Sequence, residues 1–232
     1  QLPAQARDLI VGIGGDIETF DVCCANFIQS HHALYAVYEP PVIYPTIEVA
    51  GGALVGDPAG VVGTVFESWQ ASDDGLAYTI KIREGLTLHN GTPINAELVK
   101  FTIDRNLNAA GGGTWLLNNI AFVTKSPEVV DEYTIRLVGD AVSPMIMSQF
   151  YMTSSAMLDP AIVKEHATED DPWAKEWMAR NVAGGSGPYK IVSHIPDQEI
   201  VLEAWDGYLA GKAPIERMIW KIIPSAAQRA LL

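Results

Sequence analysis

FESWQASDDGLAYTIKIREGLTLHNGTPINAELVKFTIDRNL, residues Phe66 to Leu107, is the stretch whose reading decides the fold. Ser72-Asp73-Asp74-Gly75 is a turn sequence, because short polar side chains bond back to the backbone and Gly75 tolerates the positive φ that ends a tight reversal. From Tyr78 to Arg83, the apolar Tyr78, Ile80 and Ile82 alternate with Thr79, Lys81 and Arg83, which predicts a strand with one buried face. Glu84-Gly85 reverses the chain again, Leu86 to Leu88 reads as a short return strand, and Asn90-Gly91-Thr92-Pro93 as a loop. Asn95 is placed to cap a helix in which Ala96, Val99, Ile103 and Leu107 recur at helical spacing. Glu97 in its first turn and Arg105 near its other end suit the helix dipole. By local physics alone this unit is scaffold.

The composition bounds the rest. A chain of 232 residues can bury a sizeable core, and 48% hydrophobic with 19% charged residues is ordinary for a globular protein. A formal charge of -13, with Lys and Arg scattered and never in a run, argues against nucleic acid as a partner. No stretch approaches the roughly 20 apolar residues of a membrane-spanning helix. The start, Gln1-Leu2-Pro3-Ala4-Gln5-Ala6-Arg7, lacks the charged and apolar regions of a signal peptide, which fits either a cytoplasmic protein or a mature exported one.

Asp8 to Gly14 reads as a first strand buried on both faces, and Gly14-Gly15-Asp16 ends it. The glycines of GIGGDIETFD have the wrong spacing for a dinucleotide fingerprint. Phe27, His31, Leu34, Tyr35 and Tyr38 fall on one helical face, stopped by Glu39-Pro40-Pro41. Val42 to Val49 is extended, and Gly51 to Gly63 is a loop or small hairpin. Gly111-Gly112-Gly113 is a joint, Trp115 to Ile120 a short helix or turn, and Val129 to Leu137 a hairpin. Ser143-Pro144 opens a Met-rich helical segment containing Met145, Met147, Tyr151 and Met152. Asp159-Pro160 and Asp171-Pro172 each read as helix starts, the second carrying Trp173 and Trp177 inward. Tyr189 to His194 and Glu199 to Ala204 form a hairpin around Pro196-Asp197, Arg217 to Ile223 is a strand, and Ser225-Ala226-Ala227-Gln228 opens a helix.

Cys23-Cys24 with His31-His32 is the sharpest chemical cluster, since thiolates and imidazoles suit zinc or copper. The spacing matches no zinc pattern, so no metal site is assigned; a vicinal disulfide is the alternative in an oxidising compartment. His89, His166 and His194 are isolated and read as surface or satisfied side chains. There is no nucleophile elbow, zinc-protease motif or P-loop, and the paired carboxylates Asp73-Asp74 and Asp170-Asp171 sit in turns or caps. No catalytic residue and no cofactor is assigned.

The order of the central motifs is more specific than their physics. ESW, SDDGLAYTIKIREG and HNGTPINAELVKFTIDR, followed by Gly185-Ser186-Gly187-Pro188-Tyr189, Trp205-Asp206-Gly207-Tyr208 and Ile219-Trp220-Lys221-Ile222-Ile223-Pro224, resemble the extracytoplasmic solute-binding proteins of peptide and nickel ABC importers, family 5 or cluster C. Asn90 stands where that family usually has Asp, and Leu98 where it has an acidic residue, so the reciprocal half of a capping box is lost.

The resemblance implies an α/β fold: a periplasmic-binding-protein-like first lobe with a mixed sheet and a small inserted α+β subdomain. It divides the chain into 1–48 and 156–223 as the two parts of the lobe, 49–155 as the insertion and 224–232 as the start of a crossover to a second lobe absent from this chain. The chain is thus expected to be an amino-terminal fragment of a longer protein. The function implied is capture of a small solute, first of all an oligopeptide or dipeptide, for the membrane permease subunits of an ABC importer, in the periplasm or another extracytoplasmic space, with membrane association left open. Other open readings are a nickel chelate, an oligosaccharide or another polar solute, an enzyme on the same scaffold, and a receptor read by a sensor protein. The resemblance places Cys23, Cys24, Asn26 and Phe27, after the first strand, at the cleft mouth, together with Trp115, Tyr151, Met152 and Gly187. Trp115 corresponds, by its distance before VDEYTIRL, to a tryptophan that reaches the cleft in nickel-binding relatives.

Overall fold

The computed structural model describes residues 8–25, 28–57 and 60–231, the side chains of Ile28 and Gln29 apart. In chain order the elements are β1 (Asp8–Ile13), α1 (Ile28–Val37), β2 (Val42–Ile43), β3 (Thr46–Glu48), β4 (Leu54–Gly56), β5 (Val62–Gly63), β6 (Phe66–Ala71) and β7 (Ala77–Ile82). There follow α2 (Ala96–Asn108), α3 (Gly112–Asn119), β8 (Glu128–Asp131), β9 (Thr134–Val138), α4 (Ile146–Gln149), a 3-10 turn (Thr153–Ser155), α5 (Pro160–His166) and α6 (Lys175–Met178). The last elements are β10 (Tyr189–Ile195), β11 (Glu199–Ala204), β12 (Arg217–Ile222) and α7 (Ala226–Arg229).

Two four-stranded sheets organise the chain. One has the order β6-β7-β9-β8 and is antiparallel throughout. The other has the order β1-β12-β11-β10, with β1 parallel to β12 and the remaining pairs antiparallel. The fold is therefore the expected mixed α/β arrangement. Each sheet has its own core: Ile80, Ile82, Ile135 and Leu137 pack with Val99 and Ile103 of α2 in one, and Leu34, Tyr38, Ile200, Leu202 and Trp220 pack in the other. Alternation on β7 explains the first, since Ile80 and Ile82 are buried and Tyr78 packs against the same core, while Thr79 and Lys81 are exposed. Each fully buried Leu or Ile contributes about 1.5–3 kcal/mol.

Helix α2 starts where the sequence predicts, with the Asn95 side chain accepting the Leu98 amide at 3.0 Å. Leu98 itself is 3% exposed and belongs to the first core. Arg105 does not serve the helix dipole at the surface; it is buried, as described below.

Other expectations are corrected. β1 is an edge strand rather than one buried on both faces, with Ile10 52% exposed and Leu9 also at the surface. Leu86 to Leu88 folds back on the segment after its own loop, through a Thr87–Pro93 bridge and hydrogen bonds from Leu88 to Thr92 and from Ile94 to Leu86, and forms no regular strand. The Met-rich segment yields only the four-residue α4 and a 3-10 turn. Asp159 caps α5 through the Ala161 amide at 2.8 Å, but Asp171-Pro172 does not begin α6. Ala174 at φ 51 separates them, and Asp171 instead accepts the Glu176 amide. Trp173 and Trp177 are half-buried, against Phe101 and His166. Among the described residues, no helix is long and apolar enough to cross a membrane.

Candidate functional site

The segment after β1 is anchored by a buried ion pair. Arg105 of α2 donates two hydrogen bonds of 2.8 Å to the two oxygens of Asp21, and both side chains are 1% exposed. The guanidinium also donates to the Trp173 carbonyl at 3.1 and 3.0 Å, so its donors are satisfied in a dry setting where an unpaired charge would be costly. Asp21 in turn accepts the Cys23 amide at 3.2 Å, and its carbonyl accepts the Cys24 amide at 3.1 Å. The turn carrying both cysteines is thus pinned to the middle of the molecule.

Cys23 is buried, Cys24 is half-buried, and their sulfurs lie 2.8 Å apart. Gly111 rests on them: a Cβ there would fall 2.4 Å from the Cys23 carbonyl oxygen and 3.0 Å from each sulfur. The Gly113 amide faces the Cys23 carbonyl at 3.4 Å, so α3 begins directly over the cysteine turn. The glycine run is therefore a close-packing surface rather than only a flexible joint. A Cβ on Gly113 would meet Asn106 Oδ1 at 2.1 Å and Ser154 Cβ at 2.6 Å, which seats the 3-10 turn against the same helix start. Trp115, one turn further along α3, is 57% exposed.

The 3-10 turn also receives α1. His31 Nδ1 lies 3.2 Å from Thr153 Oγ1, and the Tyr35 hydroxyl donates to the Tyr151 carbonyl at 3.4 Å. Tyr35 and Tyr151 rings stand 5.7 Å apart, and Tyr44 meets Tyr151 edge-on at 5.2 Å. Burial pushes the Tyr35 phenol well above its usual value, so it stays neutral and donates. The structure thus brings Cys23, Cys24, Trp115, Tyr151 and Met152 of the sequence-derived set around one helix start and one 3-10 turn. It adds Tyr35 and Tyr44, which sequence reasoning placed in a core face or left unassigned, and His31, which it had grouped with the cysteines as a candidate metal ligand. Asn106 Oδ1 and Ser154 Oγ, at that junction, are buried without a hydrogen-bond partner among the described residues.

Gly187 lies elsewhere, and its role is packing. Its amide donates to the Val37 carbonyl at 2.8 Å, and a Cβ there would come within 2.8 Å of Ala36 and Tyr38 backbone atoms. Asn26 and Phe27 lie outside the described residues. A separate groove of about 380 Å³, lined by Thr92, Asn95, Phe101, Asp104 and Lys164 among others, shares no residue with the aromatic surface and is an open trough along α2 and α5.

Comparison with known proteins places this geometry. Residues 60–232 match the family model described as bacterial extracellular solute-binding proteins, family 5, middle. The chain is 27% identical over 223 residues to the probable D,D-dipeptide-binding periplasmic protein DdpA of Escherichia coli, covering 96% of this chain and 40% of that protein. It is 29% identical over 178 residues to heme-binding protein A of Haemophilus influenzae, covering 70% of this chain and 32% of that protein. The structure of the periplasmic binding protein DppA from Helicobacter pylori in complex with the peptide STSA superposes with a TM-score of 0.78 at 22% identity, over 97% of this chain and 44% of that one. The chain therefore spans about a third to just over two-fifths of the length of these relatives.

Proposed function

The chain belongs to the bacterial extracellular solute-binding proteins of family 5, and from that premise we propose that it is part of the solute-capturing component of an ABC importer, with an oligopeptide or dipeptide as its ligand. The observation that carries this reading is the convergence of three segments on one partly exposed aromatic cluster of Tyr35, Tyr44 and Tyr151, with the exposed Trp115 on the helix whose start seats the same 3-10 turn. Flat aromatic walls hold an extended ligand by area, and main-chain hydrogen bonds from a second lobe supply orientation without a side-chain code. A peptide is favoured over the other solutes because relatives bearing peptide names include DdpA and the STSA complex. In this reading residues 1–48 and 156–223 build the first lobe, 49–155 form its insertion and 224–232 lead into the second lobe. The two separate hydrophobic cores support that division. Closure of the lobes over the solute presents an extracytoplasmic surface to the permease.

The test is a calorimetric and thermal-shift series on the full-length protein with di-, tri- and tetrapeptides, hemin, glutathione and a nickel chelate. A ligand that binds only the folded state raises the melting temperature. Peptide binding weakened about tenfold or more in Trp115→Ala and Tyr151→Ala, at unchanged fold, is the expected result. A shift with hemin or a chelate and none with any peptide would overturn the peptide assignment.

A further inference from the structure

Cys23 and Cys24 are the two cysteines of the chain, and the groups that position them belong to no aromatic wall. Asp21 and Arg105 hold the turn from below, and Gly111 caps it from above. The outcome is a pair of neighbouring sulfurs 2.8 Å apart, in hydrogen-bond contact with one another.

Asp21, Cys23 and Cys24 place their ligand atoms within 4.8 Å of one another, which invites a metal reading. Charge argues against it. Both Asp21 oxygens already face the Arg105 guanidinium, a permanent positive charge that repels a metal ion, and neither His31 nor His32 joins the group. Thiol chemistry remains. The two sulfurs differ in access, Cys23 being buried and Cys24 half-buried, as an attacking thiol and a resolving thiol differ. The hydrogen bond with Cys23, aided by Lys175 and Arg105 against burial and the Asp21 charge, holds Cys24 below the usual thiol value. The same hydrogen bond, with burial, pushes the Cys23 thiol up.

We propose that Cys23 and Cys24 form a redox-active vicinal dithiol, which a low-molecular-weight disulfide oxidises to a bond between the two neighbours at the foot of α3. The Cys24 thiolate attacks one sulfur of the small disulfide, whose sulfur–sulfur bond breaks and releases one thiolate. Cys23 then attacks the Cys24 sulfur of the mixed disulfide and expels the second. Two protein thiols lose two electrons, the small disulfide gains them, and the two protons end on the two small thiols.

Geometry makes this bond reversible. Consecutive Cα atoms are about 3.8 Å apart, below the roughly 4.4–6.8 Å that disulfides usually span, so the ring is strained and readily reduced. It also closes no loop of chain and so adds little to stability. Its effect is local: drawing the sulfurs together alters the surface on which Gly111 rests and the Cys23 carbonyl that faces the Gly113 amide, at the start of the helix bearing Trp115. The proposal goes beyond solute capture and does not depend on which solute is bound.

The test uses the reduced full-length protein, equilibrated with oxidised glutathione, quenched with acid and alkylated in denaturant before mass spectrometry. Near-complete loss of both Cys23 and Cys24 alkylation together is expected, with an intact mass lower by two hydrogens, no retained glutathione, and recovery of both thiols in reduced glutathione. Cys23→Ser, lacking the resolving thiol, should retain one glutathione on Cys24. Wild-type protein that keeps both thiols alkylatable, retains glutathione, or cross-links between chains through Cys24 would overturn the proposal. These wild-type results decide the matter even if the variant does not fold.

Discussion

Glu39 shows how one buried side chain sets a pH response. It is 5% exposed, and the Tyr208 hydroxyl donates to it at 2.9 Å. Burial pushes its carboxyl up to about 7 from an ordinary 4.5, against the opposing pull of the Tyr208 hydrogen bond. Between those two values the folded protein holds a proton that the unfolded chain has lost, so its contribution to stability is full below about 4.5 and is lost as pH rises through 7. Glu39→Gln keeps an acceptor for Tyr208 and removes the charge. Denaturant unfolding should find it close to wild type at about pH 5 and more stable by about 1–3 kcal/mol at about pH 8. No gain at the higher pH would mean that Glu39 is better solvated than its burial indicates. The Asp21–Arg105 pair is the opposite case, a charge kept because its partner is fixed. Its members are 84 positions apart, and no local pattern announces them.

Among elements, α2 connects the two halves. Its Val99 and Ile103 enter the first core, Phe101 packs on the second, and Arg105 holds the turn after β1. Leu98 occupies the position where the family pattern has an acidic cap residue, and here it is buried in the first core. An acid would complete the capping box, worth up to about 1 kcal/mol, but would forfeit about 1.5–3 kcal/mol of apolar burial and bring a charge inside. Leu98→Glu should therefore lower stability by about 2–4 kcal/mol, read as a lower denaturation midpoint. An equal or higher midpoint would show that the side chain can turn out to solvent with little loss of packing. The start of this helix was legible because Asn95 and the apolar period are both local signals. The short helices α4 and α6 were not, since a four-residue helix is set by its surroundings rather than by its own period.

At the scale of the whole molecule, the HNGTP loop joins the two cores. Asn90 and Thr92 both donate to Asp159 Oδ2 at 2.7 Å, His89 Nε2 lies 2.9 Å from the Gly187 carbonyl, and the His89 amide donates to Gly185 at 2.7 Å. The departure at Asn90 now has a physical reason: an amide can donate to Asp159, whereas the carboxylate usual in the family would face it as a like charge. Asn90→Asp should cost about 1–3 kcal/mol near pH 7, through the lost donor and the repulsion, and part of that cost should vanish as pH falls through about 4 and one carboxyl takes up a proton. Equilibrium unfolding at both pH values checks this, and a variant as stable as wild type at pH 7 would refute it. Burial also holds His89 down to about 4, so this junction resists protonation, and its contribution, full above about 6.5, is lost as pH falls toward 4.

The sequence by itself determined the family, the mixed α/β class, the capped α2 and the strands β7 to β12, though not β6, because turns, caps and periods of two or 3.6 are written in neighbouring residues. The tertiary structure alone added the tyrosines to the candidate site. Tyr35 read as part of a helix's core face, and Tyr44 carried no signal at all; only packing across more than a hundred residues sets them beside Tyr151. It also decided that β1 is an edge and that Gly111 lies on two cysteine sulfurs. Proximity of that kind comes from long-range burial, which a linear pattern constrains in sum but does not assign pair by pair.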